Sequence, residues 1–132
     1  ESARLEVHGQ PVQAQARVYL MLNKPRGLVT SASDERGRAT VFACLADPAL
    51  PFVAPVGRLD KASEGLLLLT NDTVWANQIT APESHLEKTY HVQINCLADD
   101  ALLQRMRAGV EDGGELLKAT RVSVLRPVPL RP

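Results

Sequence analysis

The sequence has no excess charge of either sign: fifteen basic residues stand against fifteen acidic ones over 132 positions. That balance argues against a protein that grips nucleic acid by bulk charge, so any such contact has to come from a local patch. Cysteine is equally scarce. Cys44 and Cys96 are the only two, neither in a CxxC pattern nor beside a histidine, which leaves free thiols in a reducing compartment as the reading. His8, His85 and His91 are scattered, so no metal centre is expected. No apolar run approaches the ~18 residues that would span a membrane. The opening Glu1-Ser2-Ala3-Arg4 is not a signal peptide, and a cytoplasmic protein is expected.

What is present suits one domain. Apolar residues make up 45 % of the chain, close to a soluble globular average and enough for a hydrophobic core. In residues 1–17, Leu5 and Val7 alternate with polar neighbours and Gly9-Gln10-Pro11 signals a turn, so this stretch reads as the linker or exit strand of a preceding domain. Val18-Tyr19-Leu20-Met21-Leu22 has strand length and stops at Asn23-Lys24-Pro25-Arg26-Gly27, a turn that exposes two cations. After a charged loop containing Asp34, Glu35, Arg36, Gly37 and Arg38, the run Thr40 to Leu45 is expected to be a short helix capped by Thr40.

Phe52-Val53-Ala54-Pro55 leads into the turn Gly57-Arg58-Leu59-Asp60, and Leu66 to Thr70 then reads as a strand buried on both faces. Asp72 is placed to cap a helix through Ile79, which Ala81-Pro82 would stop. Glu87 to Ile94 alternates like a strand, with Tyr90, Val92 and Ile94 on one face. Asp99 to Ala108 is helical and ends at Gly109, and Val122 with Val124 suggests a last strand. The succession predicts an α+β fold, a mixed and mostly antiparallel sheet with short flanking helices. The proline-spaced tail from Arg126 to Pro132 cannot be an interior strand.

Two features can carry chemistry. Arg58 and Asp60 share one tight turn, followed by Ser63, Glu64 and Gly65, and run directly into a four-leucine strand; such a loop can hold a carboxylate rigidly at a pocket floor, although a salt-bridged surface turn would have the same composition. The second is Lys88-Thr89-Tyr90, where the aromatic side chain lies on the apolar face, a place that by itself more often marks core than a ligand contact.

Tyr19 to Gly27 resembles the opening strand and lysine-proline turn of the RsuA-type bacterial ribosomal RNA pseudouridine synthases. The run from Gly57 through Asp60-Lys61-Ala62-Ser63-Glu64-Gly65 to Asp72 resembles that family's catalytic motif, and Lys88-Thr89-Tyr90-His91-Val92 its next one, in order and at the expected distance. The likeness spans about residues 19 to 125 and implies a pseudouridine synthase-like fold, with 18–132 as the catalytic domain. It further implies Asp60 as the catalytic nucleophile and Tyr90 as the residue that stacks on the uracil and helps remove its C5 proton. Arg58 would fill the space of the flipped nucleotide, while Lys24, Arg26, Lys61 and Lys88 would contact phosphates of a ribosomal RNA substrate. No cofactor or metal is implied, and a monomer is expected.

Two departures stand out. Thr73 follows Asn71-Asp72 where the family usually has glycine, and nothing after Arg126 resembles the glycine- and arginine-rich motif that supplies a basic partner for the aspartate. The sequence is therefore expected to be C-terminally incomplete, to lack a separate N-terminal RNA-binding domain, and to be weakly active or inactive alone. The competing readings are a non-catalytic RNA-binding or ribosome-assembly module, and an N-glycosylase that stops after bond cleavage.

Overall fold

In the computed structural model the described residues are 5–7, 10–12, 16–31 and 36–125. The chain divides into two compact units, Glu1–Glu87 and Lys88–Pro132. The first opens with strands β1 (Leu5–Val7) and β2 (Gln10–Val12), an antiparallel pair with Val7 opposite Gln10. Gln10 and Pro11 thus lie in a strand rather than in the expected turn, whose remaining residue, Gly9, is outside the described residues.

A three-stranded antiparallel sheet organises the rest of this unit, in the order β3 (Tyr19–Lys24), β5 (Gly65–Thr70), β4 (Ala54–Val56). The first strand pairs with β5 over its whole length, from Tyr19 opposite Thr70 to Lys24 opposite Gly65. Pro55 has no N–H to give to a ladder, and it is accommodated because β4 is an edge strand.

Side chains alternate across a pleated strand, so only every second leucine of β5 can reach one face. Leu67 and Leu69 do, and with Val41 and Val53 they form the core, around which Leu20, Leu22, Leu28, Phe42, Leu45 and Leu59 pack. Burying each of these two leucines contributes up to about 1.5–3 kcal/mol. The opposite face carries Tyr19, Met21 and Leu66, and Leu66 is 66 % exposed. The expectation that β5 is buried on both faces is corrected by this one-sided packing.

The expected helix at Thr40 is a single 3-10 turn, Val41–Cys44, and the Thr40 side chain makes no cap. Instead Thr40 lies in a parallel bridge to Val29. Part of the preceding charged loop, including Asp34 and Glu35, lies outside the described residues. Helix α1 (Thr73–Thr80) forms as its cap predicts: the Asp72 carboxylate accepts from the Trp75 amide at 3.1 Å, and Pro82 follows the last turn.

The end of β5 ties the unit's entry to this helix. The Thr70 hydroxyl donates to the Val18 carbonyl at 2.6 Å, and the Asn71 side chain accepts from Val18 N at 2.8 Å and donates to the Ala16 carbonyl at 2.9 Å. The Tyr19 hydroxyl donates to Asp72 Oδ2 at 2.6 Å, and its ring meets Trp75 edge-on with centroids 5.0 Å apart. Arg17 adds a 3.6 Å ion pair to the same carboxylate. The hydrogen bond from Tyr19, reinforced by the Trp75 amide, lowers the pKa of Asp72, and the same bond raises that of Tyr19.

In the second unit, helix α2 (Asp100–Ala108) is capped by Asp99, which accepts from the Leu102 amide at 2.9 Å, and it stops at Gly109. A hairpin that the sequence reading did not include follows, β6 (Val110–Asp112) and β7 (Glu115–Leu117), turning through Gly113-Gly114. Both glycines have positive φ, +59° and +82°, the condition for the two-residue turn that matches strand twist. The strand expected over 87–94 and the one at Val122 and Val124 do not form: among the described residues neither joins a ladder. Alternation supplies a face but no partner, and an unpaired strand leaves its main-chain groups to water. The observed class is α+β with antiparallel sheets, three small ones among the described residues rather than the single sheet expected. The tail from Arg126 lies outside the described residues.

Candidate active site

The segment after Gly57 has no regular secondary structure, and nearly every feature that fixes it comes from residues 24–30. Lys24, at the end of β3, is fully buried, which is costly for an ammonium unless all three of its donors are used. They are used: Nζ donates to the carbonyls of Pro25 at 3.0 Å, Asp60 at 3.0 Å and Ser63 at 2.7 Å. The Gly27 amide donates to the Lys61 carbonyl at 2.8 Å, and the Ser63 amide closes the turn on the Asp60 carbonyl at 3.0 Å. The Thr30 hydroxyl donates to the Leu59 carbonyl at 2.7 Å and accepts from the Leu59 amide at 3.3 Å.

These bonds hold main chain, which leaves the side chains free to face outward. Arg58, Asp60 and Lys61 are exposed, whereas Leu59 between them turns into the core. Among the described residues the Asp60 carboxylate has no hydrogen-bond or ion-pair partner in the protein. Arg26 Nη2 lies 3.5 Å from Glu64 Oε1, both more than half exposed, a pair worth about 0–1 kcal/mol. Glu64 is thereby turned toward Arg26.

The structure thus brings five of the sequence-selected residues, Lys24, Arg26, Arg58, Asp60 and Lys61, to one turn-on-turn assembly in the first unit. Lys24 is not where a phosphate contact was expected: a buried ammonium saturated by carbonyls has no donor left for RNA, so its role is to hold the loop. Lys88 and Tyr90 belong to the second unit, where both are exposed and Tyr90 is 64 % accessible rather than packed on a strand face. Sequence reasoning missed Thr30, a buried hydroxyl whose partner is 29 residues away. No local signal marks it. Among the described residues no group of histidine, cysteine and carboxylate side chains is arranged to hold a metal ion, and no helix is long and apolar enough to cross a membrane.

Residues 24–70 thus place a charged loop, fixed by its main chain, between the lysine-proline turn and a leucine strand. Residues 18–126 match the RNA pseudouridylate synthase family, and the chain belongs to it. It is of the RsuA/RluB type. It is 36 % identical to the ribosomal large subunit pseudouridine synthase B of Bacillus subtilis over 110 residues, which is 83 % of this chain and 44 % of that protein. With the ribosomal small subunit pseudouridine synthase A of Salmonella typhimurium it shares 37 % over 115 residues, 86 % of this chain and 49 % of the relative. An RNA pseudouridine synthase of Aquifex aeolicus is 38 % identical over 124 residues, 92 % of this chain and 49 % of the relative. The chain spans about half the length of these relatives.

Proposed function

We propose that this chain carries the catalytic core of a ribosomal RNA pseudouridine synthase in which Asp60 is the carboxylate that acts on the target uridine. One observation carries the reading: within the family-matched segment, the Asp60 loop is locked by its main chain while the carboxylate itself is exposed and without a protein partner among the described residues. A backbone held this way fixes where the side chain leaves the loop, and its charge stays free of internal contacts.

The reaction is an isomerisation. The N1–C1′ bond of uridine breaks, the uracil turns, and a C5–C1′ bond forms; the C5 hydrogen leaves as a proton and N1 takes one up. Atoms and electrons balance within the nucleotide, so no redox partner is called for. Asp60 supplies the anionic oxygen, whether toward C1′ or toward the base. To reach it the nucleotide leaves its stack, with Arg58 entering the vacated space and Tyr90 stacking on the uracil and assisting loss of the C5 proton. Lys61, Lys88 and Arg26 bind phosphates, which positions the RNA without reading its sequence.

The test is tritium release from unmodified ribosomal RNA transcripts labelled at uridine C5, with the full-length protein, wild type and Asp60→Asn. Release by wild type, lost in the variant while RNA binding persists, supports the reading. Binding without any release points to an RNA-binding module, and free uracil in the supernatant to an N-glycosylase; either overturns it.

A further inference from the structure

We infer that Thr30 is a positioning residue for the reaction: its hydroxyl sets the direction of the peptide groups that flank Leu59 and so orients Arg58 and Asp60 together. The inference rests on the reading of Asp60 as the catalytic carboxylate. It starts from an unusual economy of bonding. One buried hydroxyl donates to the carbonyl and accepts from the amide of the same residue, at 2.7 Å and 3.3 Å. The Leu59 amide belongs to the peptide group shared with Arg58, and the Leu59 carbonyl to the one shared with Asp60. Fixing both restricts φ and ψ of Leu59 at once, and those two angles decide how the chain carries its neighbours.

The clamp is firm because Thr30 is itself held from outside the loop. On its N-terminal side the Val29 amide donates to the Ala39 carbonyl at 2.9 Å, and the Val29 carbonyl accepts from Val41 N at 3.0 Å. Val41 is fully buried in the core. The chain of contacts therefore runs from the core through Val41, Val29 and Thr30 to Leu59, whose own side chain packs back on the same core. Lys24 grips the loop beyond this point, at the carbonyls of Asp60 and Ser63, so the Arg58–Leu59 side depends on Thr30.

Thr30→Val keeps the shape and removes the hydroxyl; Thr30→Ser keeps the hydroxyl and removes the methyl group. In the full-length protein acting on C5-tritiated ribosomal RNA transcripts, Thr30→Val is expected to lower kcat about 10- to 100-fold with KM within about threefold, as for a reacting group displaced by a fraction of an ångström. Thr30→Ser should restore most of the rate. Amide hydrogen exchange should rise at Leu59 in Thr30→Val and stay unchanged at Leu69 in β5. If Thr30→Val fails to fold by circular dichroism, Thr30→Ala takes its place in the same comparison. Unchanged kcat, an equal loss in Thr30→Ser, or unaltered exchange at Leu59 overturns the inference. Asp60→Asn measured alongside separates the two claims: turnover surviving in that variant sinks the reading of Asp60, whereas an inactive Asp60→Asn beside a fully active Thr30→Val sinks only the role of Thr30.

Discussion

The ammonium of Lys24 donates to the main-chain carbonyl of Asp60 across 3.0 Å, although the two residues are 36 positions apart in the chain. With the Ser63 carbonyl as a second partner at 2.7 Å, this buried cation joins the end of β3 to the loop that presents Asp60. The two side chains form no ion pair. The cation binds the backbone of Asp60 and leaves the carboxylate outside.

Replacing Lys24 by Met keeps the aliphatic stem and removes the donors. The carbonyls of Asp60 and Ser63 then lose bonds from a charged group, and Lys24→Met is expected to destabilise the fold by about 2–4 kcal/mol, measured by urea unfolding. The salt dependence of RNA affinity should be unchanged in this variant when binding is measured below its unfolding transition. By contrast, Lys61→Ala should leave stability nearly unaltered and reduce the slope of log affinity against log salt by about 1. A reduced slope in Lys24→Met would return that lysine to the RNA surface.

Asp60→Asn removes the anionic oxygen and retains size and hydrogen-bonding shape. Product formation should fall by at least about 10³-fold, the scale of losing a covalent or general-base group, with RNA affinity changed less than about threefold in a filter or anisotropy assay. Because the loop is held through main-chain atoms, thermal stability should hardly move.

The Asp72 carboxyl titrates below its ordinary value because Tyr19 and the Trp75 amide bond to its charged form. A depressed folded-state pKa means a contribution that is complete above the unfolded value, about 3.9, and is lost as pH falls through the lower folded value. The Tyr19 phenol is shifted the other way, so its contribution is complete below its unfolded value, about 10, and fades as pH rises through the raised one. Thermal melts of wild type should therefore lose stability on acidification below about pH 4 more steeply than those of Asp72→Asn. Equal slopes would show that the carboxylate has no privileged partner in solution.

Gly109 ends α2 with φ of +116° and ψ of 147°, a conformation that residues with a Cβ rarely adopt. A Cβ there would also lie 2.8 Å from Leu116 Cδ1, the tip of a side chain on β7. Since that tip can swing away, backbone strain sets most of the cost, and Gly109→Ala is expected to destabilise the fold by about 1–3 kcal/mol. Chemical denaturation checks this, and a neutral result would place the end of the helix in another conformation.

Local rules carried the sequence reading a long way. The caps Asp72 and Asp99 sit where their side chains meet the third amide of the following helix, because a cap depends on residues within one turn. The runs Val18–Leu22 and Leu66–Thr70 fall in paired strands, although Asn23 and Lys24, expected in the turn, extend the first of them, and the motif order points to the family without reference to any contact. The hairpin through Gly113-Gly114 was legible by the same logic, since a glycine pair is itself a turn signal. The alternation of residues 87–94 misled for the complementary reason: periodicity describes a face, and a strand exists only where a second chain segment accepts its hydrogen bonds.

The sequence alone determined which residues are chemically capable, Asp60 among them, and where the two capped helices α1 and α2 begin and stop. Only the tertiary structure decided what each cation touches. Lys24 and Arg26 look alike as two cations on one turn, yet one is buried against carbonyls 36 and 39 positions away and the other lies at the surface beside Glu64. Thr30 has no motif of its own, and its partner is 29 positions off. Caps and periodicities are short-range and can be read along the chain, whereas satisfying a buried donor depends on which distant carbonyls the fold brings within about 3 Å.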